Sequence, residues 1–247
     1  LSAGRGYNVW HLLQHLTPMT DPYGPENILA LSCGQLTGTV APVSARLHIS
    51  GLSPQTGLLG SSNVGGNFGA GLRSAGYLSL TLRGRSPFPV LLVIEQAGLR
   101  FVSAETWWGL DTRQTHDRIQ DSFGPRAQAL CIGPAGEHLV PFACIMHGVD
   151  HAAGRTGLGA VMGSKNLKAV VVTETPHSKK AGYSQINGCN RDFVRRVKQS
   201  PLYPDFSRHG GAGSVLWCND LGLMPTRNYQ ENRFQEAEKI DGRLLEP

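Results

Sequence analysis

The sequence predicts an α+β fold: a β-rich domain of two similar halves, followed by a shorter, partly helical segment. Three observations carry this prediction. Short apolar runs with strand-like patterning recur between glycine-rich turns over residues 28–172. Two glycine-dense stretches, one over residues 51–76 and one beginning at His147, follow the same order of strand, irregular loop, short helical piece and strand, the pattern of an internal duplication, with two unrelated loops as the alternative. After Thr173 the composition turns polar, and Thr175 to Lys180 has the character of a linker. Residues 1–174 are therefore expected to form one domain, and residues 175–247 a linker and an incomplete helical domain too short and polar to stand alone.

Taken in order, Arg5 to Leu16 places Val9, Trp10, Leu13 and Leu16 at helical spacing, and Thr17-Pro18 stops the helix. Pro22, Gly24 and Pro25 make a turn, after which Ile28–Leu31 and Ala45–Ile49 are expected strands. Residues 51–76 are too glycine-rich for an ordinary strand, although their later half can start a short helix. Strands at Leu78–Leu82, Val90–Ile94 and Leu99–Val102 form an expected antiparallel meander, with turns at Gly84–Pro87 and Gln96–Gly98. Asp111 with Gln114 forms a capping box for a helix that ends at Gly124-Pro125. Strands follow at Ala129–Ile132 and Phe142–Met146, then the second glycine-rich stretch and a strand at Lys168–Val172. Beyond the linker come a basic helix over Asn190–Gln199, a turn at Gly210–Gly213 and a helix with Val215, Leu216 and Leu221.

Glycine numbers 31 of 247 residues, well above the ~7% of average usage, and implies close approaches of backbone. The net charge is +5 and the isoelectric point about 9.1. Lys and Arg are scattered and only 7% of residues are aromatic, so a site for small phosphates accounts for the excess and no nucleic-acid partner is expected. No stretch approaches the ~20 apolar residues of a spanning helix, and the residues from Leu1 show no basic start and apolar middle. A soluble chain without a membrane partner is the expectation. Cys33, Cys131, Cys144, Cys189 and Cys218 are odd in number and never form C-x-x-C, which favours reduced thiols in a cytoplasm and gives no cluster or zinc site by spacing.

The loop Asn63-Val64-Gly65-Gly66-Asn67-Phe68-Gly69 offers backbone N–H groups where glycine allows a ligand to come close, ahead of a short helix whose N-terminus favours an anion. The second loop, from Gly157 to Gly163, misses G-x-G-x-x-G by one residue, and Gly163-Ser164-Lys165 is not a P-loop ending. No G-x-S-x-G is present. His11 and His15, and His147 and His151 with Asp150 beside them, have zinc-compatible spacing but no H-E-x-x-H. They are expected to be a polar helix edge and loop residues near phosphate, respectively. Arg46, Arg73, Arg155, Lys165 and Lys168 are the expected anion partners.

Pro25-Glu26-Asn27, Gly34 to Thr39 with Ala41-Pro42, Asn63 to Gly69, Ala75-Gly76-Tyr77, Ile132 to Glu137, Ala152 to Arg155 and Met162 to Ala169 occur in an order and spacing that closely resemble the aldehyde ferredoxin oxidoreductase family. The resemblance runs from about Arg5 to Val172. It implies a β-rich base of two pseudo-symmetric halves on which two pterin-dithiolene groups ligate one tungsten, or molybdenum. By the same resemblance Arg46 meets the pterin phosphate region, and Gly65, Gly66, Ala153, Gly154 and Arg155 line the cofactor. Backbone at Asn63 and Ala152 would hold a Mg²⁺ bridging the phosphates, as a hard cation wants oxygen ligands.

The implied reaction is oxidation of an aldehyde to a carboxylic acid, with electrons passing through a [4Fe-4S] cluster to ferredoxin or an electron-transfer subunit. His151 stands where some relatives carry Arg, which makes one phosphate contact weaker or pH-dependent. The sequence opens inside the family pattern and stops before the cluster cysteines, so a fragment without catalysis of its own is expected, with a homodimer or aggregate formed through apolar surface left exposed. A non-catalytic pterin-binding subunit and a generic phosphate-binding module are the alternatives.

Overall fold

The computed structural model describes residues 3–173 and 183–245. The chain divides into two compact units, Leu1–Tyr183 and Ser184–Pro247.

The first unit is built from two sheets. One has the order β3-β2-β1-β4, made of β1 (Leu29–Cys33), β2 (Leu47–Leu52), β3 (Leu59–Val64) and β4 (Ser79–Leu82), all antiparallel. The other joins β5 (Val90–Glu95), β6 (Gly98–Ser103), β7 (Gln128–Cys131), β8 (Ile145–His147), β9 (His151–Ala153) and β10 (Leu167–Val172) in the order β6-β5-β10-β7-β8-β9. Here β10 lies parallel to β5 and antiparallel to β7.

The duplication is explicit in this topology. Strands β9-β8-β7-β10 repeat the order β3-β2-β1-β4. Each set is preceded by a 12-residue helix, α1 (Gly4–His15) or α3 (Thr112–Phe123). Each is interrupted before its last strand by a seven-residue helix, α2 (Phe68–Ser74) or α5 (Leu158–Ser164). The unit is thus α-β-β-β-α-β twice, with the hairpin β5–β6 inserted between the copies and a single turn, α4 (Pro134–Glu137), inserted into the second.

The layers follow from which faces are apolar. Both α2 and α5 contact strands of both sheets. A central core joins Leu31, Ile49, Phe68 and Leu72 to Leu92, Leu130, Val161 and Val170. On the outer face of the larger sheet, Leu91, Val93, Ala129 and Val171 pack with Ile119 of α3. On the outer face of the smaller sheet, Ile28 and Ala30 pack with Leu12 of α1. Every residue of α5 and of β10 is buried, so these elements lack the one-sided patterning of surface elements.

Several expectations are corrected. The buried stripe of α1 is Gly4, Asn8 and Leu12, while Trp10 and Leu13 are 48% and 63% exposed. Asn8 sets this rotation by donating to the carbonyls of Ala30 and His48. Residues 51–76 do contain a strand, β3, because the loss of side chains at Gly60 matters less than its full antiparallel pairing with β2. The predicted meander is instead divided: β4 pairs with β1 in the first sheet, while β5 and β6 form a hairpin in the second. The strand placed at Phe142–Met146 begins at Ile145, with Phe142 exposed in the preceding turn. The capping box at Asp111 forms, with Gln114 N–H donating to Asp111 at 2.8 Å and Asp111 N–H donating to Gln114 at 3.0 Å.

The linker Thr175–Lys180 lies outside the described residues. In the second unit, α6 (Tyr183–Lys198) starts earlier than the expected Asn190. α7 (Tyr203–His209) and α8 (Val215–Asp220) follow, joined by a 3-10 turn at Gly210–Ser214. Gly213, Ala237 and Asp241 are buried here, whereas Phe193, Leu202, Phe206 and Trp217 are exposed.

Candidate functional site

Strands β3 and β9, equivalent in the two copies, are the outer edges of their sheets and run against each other. Asn63 lies on β3 and Ala152 on β9, in edge strands and not in the irregular loops expected for them. An edge strand has unpaired backbone groups along one side, which is what a ligand can use. The sheet registers make the equivalence residue by residue. Val64 pairs with Leu47 and Ala153 with Ile145, so Asn63 corresponds to Ala152, Gly65 to Gly154 and Arg46 to Cys144.

The seam brings together all eight residues proposed from the sequence. Arg46 Nη1 donates to Asn63 Oδ1 at 3.0 Å. A Cβ on Gly65 would lie 3.8 Å from Arg46 Nη1 and 2.8 Å from the His151 ring. A Cβ on Gly154 would lie 3.6 Å from Cys144 Sγ and 3.9 Å from Ala152 Cβ. Arg155 N–H donates to Ser62 Oγ at 3.3 Å, tying the second loop to the first copy's edge strand. Arg46, Arg155, Asn63, Ala152 and Gly154 are exposed, and Ala153 is buried beneath them.

Gly66 has φ of +77°, and a Cβ there would meet His147 at 2.2 Å, so glycine is required on both counts. His147 is correspondingly misjudged as a loop residue. It lies on β8, 7% exposed, edge-on to Phe68. Its Nδ1–H donates to the Ala129 carbonyl at 2.9 Å, and its Nε2 accepts from Asn67 N–H at 3.1 Å. Because those partners are an obligate acceptor and an obligate donor, the ring is neutral with one tautomer fixed. Burial lowers its pKa, opposed by the carbonyl bond. His147 therefore clips the two copies together, with both ring nitrogens engaged by protein groups. His151 sits on β9 with its Nδ1 2.7 Å from Asp150 Oδ1.

Of the other proposed anion partners, Arg73 reaches the Gly34 and Gln35 carbonyls. Lys165 and Lys168 are 5% and 0% exposed and serve the interior. Lys168 pairs with Glu137 and donates to the Leu110 carbonyl at 2.7 Å, while Lys165 Nζ donates to the carbonyls of Asn27 and Gly84.

The seam suits an anion. Arg46 and Arg155 present guanidinium groups without a carboxylate partner among the described residues, and the glycines at 65, 66 and 154 keep side chains away from the backbone they border. Among the described residues no cluster of three His, Cys, Asp or Glu is placed to hold a metal ion. What the sequence alone missed is Ser62, His147 and Cys144 as seam residues. Gly65-Gly66 signals that something presses close, but the pressing groups come from 80 residues away.

Two facing edge strands on a duplicated base, with exposed guanidinium groups beside them, define a class of protein: a two-fold α+β scaffold with a glycine-lined seam between its halves. Comparison with known proteins makes the class particular. Residues 1–174 match the family model described as aldehyde ferredoxin oxidoreductase, N-terminal domain. The chain is 37% identical over 243 residues to the tungsten-containing aldehyde ferredoxin oxidoreductase of Pyrococcus abyssi, covering 98% of this chain and 40% of that one. It is 31% identical over 255 residues to the aliphatic sulfonate oxidoreductase, WOR-like subunit, of Pyrococcus furiosus, covering 96% and 40%.

Among solved structures it resembles the active site complex BamBC of benzoyl coenzyme A reductase in complex with 1,5 dienoyl-CoA. The TM-score is 0.76 at 33% identity, over 86% of this chain and 35% of that one. The chain belongs to the aldehyde ferredoxin oxidoreductase family. It spans about two fifths of the length of the curated relatives it matches.

Proposed function

We propose that this chain is the cofactor-cradling part of a tungsten or molybdenum bis-pterin oxidoreductase that oxidises aldehydes to carboxylic acids and passes electrons to ferredoxin or a dedicated electron-transfer subunit. The observation that carries the reading is the seam, where equivalent edge strands of a duplicated fold face each other with Arg46 and Arg155 exposed beside them. A ligand made of two like halves joined at one metal is the natural occupant of such a site.

In this reading Arg46 and Arg155 neutralise the pterin phosphates, and Gly65, Gly66, Ala153 and Gly154 let the backbone approach them. The backbone at Asn63 and Ala152 would supply oxygens to a Mg²⁺ that offsets the phosphate charge. When bound, the metal and its dithiolenes supply the two-electron chemistry, and the task of these residues is to orient and hold them. Residues 1–174 form the cofactor domain, and residues 175–247 the linker and opening of a helical domain. No C-x-x-C occurs in the 247 residues, so the [4Fe-4S] cluster, the proton-transfer groups and the aldehyde pocket would come from outside this sequence, and the chain by itself would be inactive. The five free thiols agree with a cytoplasmic setting. Among the described residues no helix is long and apolar enough to cross a membrane.

The test is elemental analysis and pterin fluorescence on the complete gene product. About one tungsten or molybdenum per chain is expected, with occupancy lowered in Arg46→Gln and Arg155→Gln, since each loses a charge-assisted bond of roughly 1.5–3 kcal/mol. Absence of both metals and of pterin from protein purified without oxygen defeats the proposal.

A further inference from the structure

At the other edges of the two sheets, away from the seam, a cavity of about 720 Å³ opens between β4, the β4–β5 connection, the hairpin β5–β6 and the start of β10. Its size lies within the roughly 300–1,000 Å³ of small-molecule sites. Leu167 and Phe88 belong to its apolar lining, as does Phe101, a side chain 69% exposed at the outer strand.

The charges in this lining do not balance. Arg83, Arg85 and Lys165 contribute to it, and no Asp or Glu does. Glu26, outside the lining, pairs with Arg83. Glu105, also outside the lining, accepts from Ser103 Oγ at 3.2 Å. Among the described residues Arg85 donates to the carbonyls of Ser164 and Tyr23, and Lys165 to those of Asn27 and Gly84. Carbonyl oxygens satisfy the donors but not the charge, and a buried cation is costly until an anion joins it. Burial, with Arg85 next, pushes the Lys165 pKa down to about 8 while Glu26 opposes the shift, so the ammonium persists at neutral pH beside Arg83 and Arg85, with Glu26 the carboxylate that serves all three cations.

We propose that this cavity is a receptor for a small organic carboxylate with an aromatic or aliphatic body, its head between Arg85 and Lys165 and its body against Phe88 and Phe101. A carboxylate matches the planar fork of Arg85, and a body of six to eight carbons gains by covering the exposed rings. The inference is independent of the cofactor reading, because the cavity shares no residue with the seam.

Titration calorimetry of the complete gene product with benzoate and octanoate, against benzyl alcohol and 1-octanol, tests it. The carboxylates should bind more tightly than the alcohols by about tenfold or more, and the preference should vanish in Arg85→Gln and in Lys165→Met. Arg85 is exposed, so its variant keeps the test open should Lys165→Met fail to fold; thermal melting reports which has happened. Arg46→Gln should leave carboxylate binding unchanged. Equal binding of acid and alcohol, no binding of either at millimolar concentration, or loss of binding in Arg46→Gln in place of Arg85→Gln overturns the proposal.

Discussion

Lys168 and Glu137 form an ion pair from which water is excluded, their side chains 0% and 1% exposed. The pair survives burial because each partner is also hydrogen-bonded: Lys168 to the Leu110 carbonyl, Glu137 from Gly109 N–H at 2.8 Å. Glu137→Ala should therefore cost about 3–5 kcal/mol by stranding the ammonium, read as a lower urea midpoint, and a loss below about 1 kcal/mol would contradict this account. His147 gives a pH dependence. Its folded pKa lies below the usual 6.5 because burial disfavours the charged ring. As pH falls through 6.5 the unfolded chain takes up this proton first, so stability declines from there to the folded pKa and is flat on this account below it. The urea midpoint should drop between pH 7.5 and 5, and His147→Gln should drop less; parallel profiles would rule out the clip. At this scale the sequence was legible for exposed groups: Arg46 and Arg155 stand open to solvent, as an anion partner must. Lys168 was misread because nothing local tells that the strand LKAVVV is buried along its whole length.

Elements were legible where local chemistry decides them. The capping box at Asp111 and the stop at Gly124-Pro125 delimit α3 to the residue. The orientation of α1 was not legible, since Asn8 is polar and its burial depends on carbonyls of two distant strands. Nor was β3, whose glycine and serines take strand form through pairing rather than propensity. Helix α5 shows how tightly such elements are fitted: a Cβ on Gly163 would come within 1.9 Å of the Gly136 carbonyl oxygen. That neighbour is backbone and cannot rotate away. Gly163→Ala should therefore destabilise the first unit by about 3 kcal/mol or more, the upper range for overpacking, whereas the exposed Gly188→Ala in α6 should not. Equal effects in a denaturation series would show that α4 and α5 are not in contact.

For the whole molecule, glycine spacing suggested the duplication, and the sheet orders state it. The second unit buries little, with Phe206 and Trp217 exposed at 54% and 62%. Light scattering of the 247-residue chain should therefore report species above the 26.6 kDa monomer, and a clean monomer at high concentration would count against partner-seeking apolar surface.

The facing of β3 and β9 has a further consequence. Copies that meet through equivalent strands have the arrangement of an isologous dimer, in which a patch meets its own image, with the two subunits fused into one polypeptide. Two separate identical subunits must change both sides of such an interface together. Fusion lifts that restriction, and the molecule has used the freedom: Arg46 is matched by Cys144, and Asn63 by Ala152. A ligand with two equivalent ends would thus meet unequal hands, one end beside Arg46 and the other beside Arg155, whose counterpart in the first copy is Gly66.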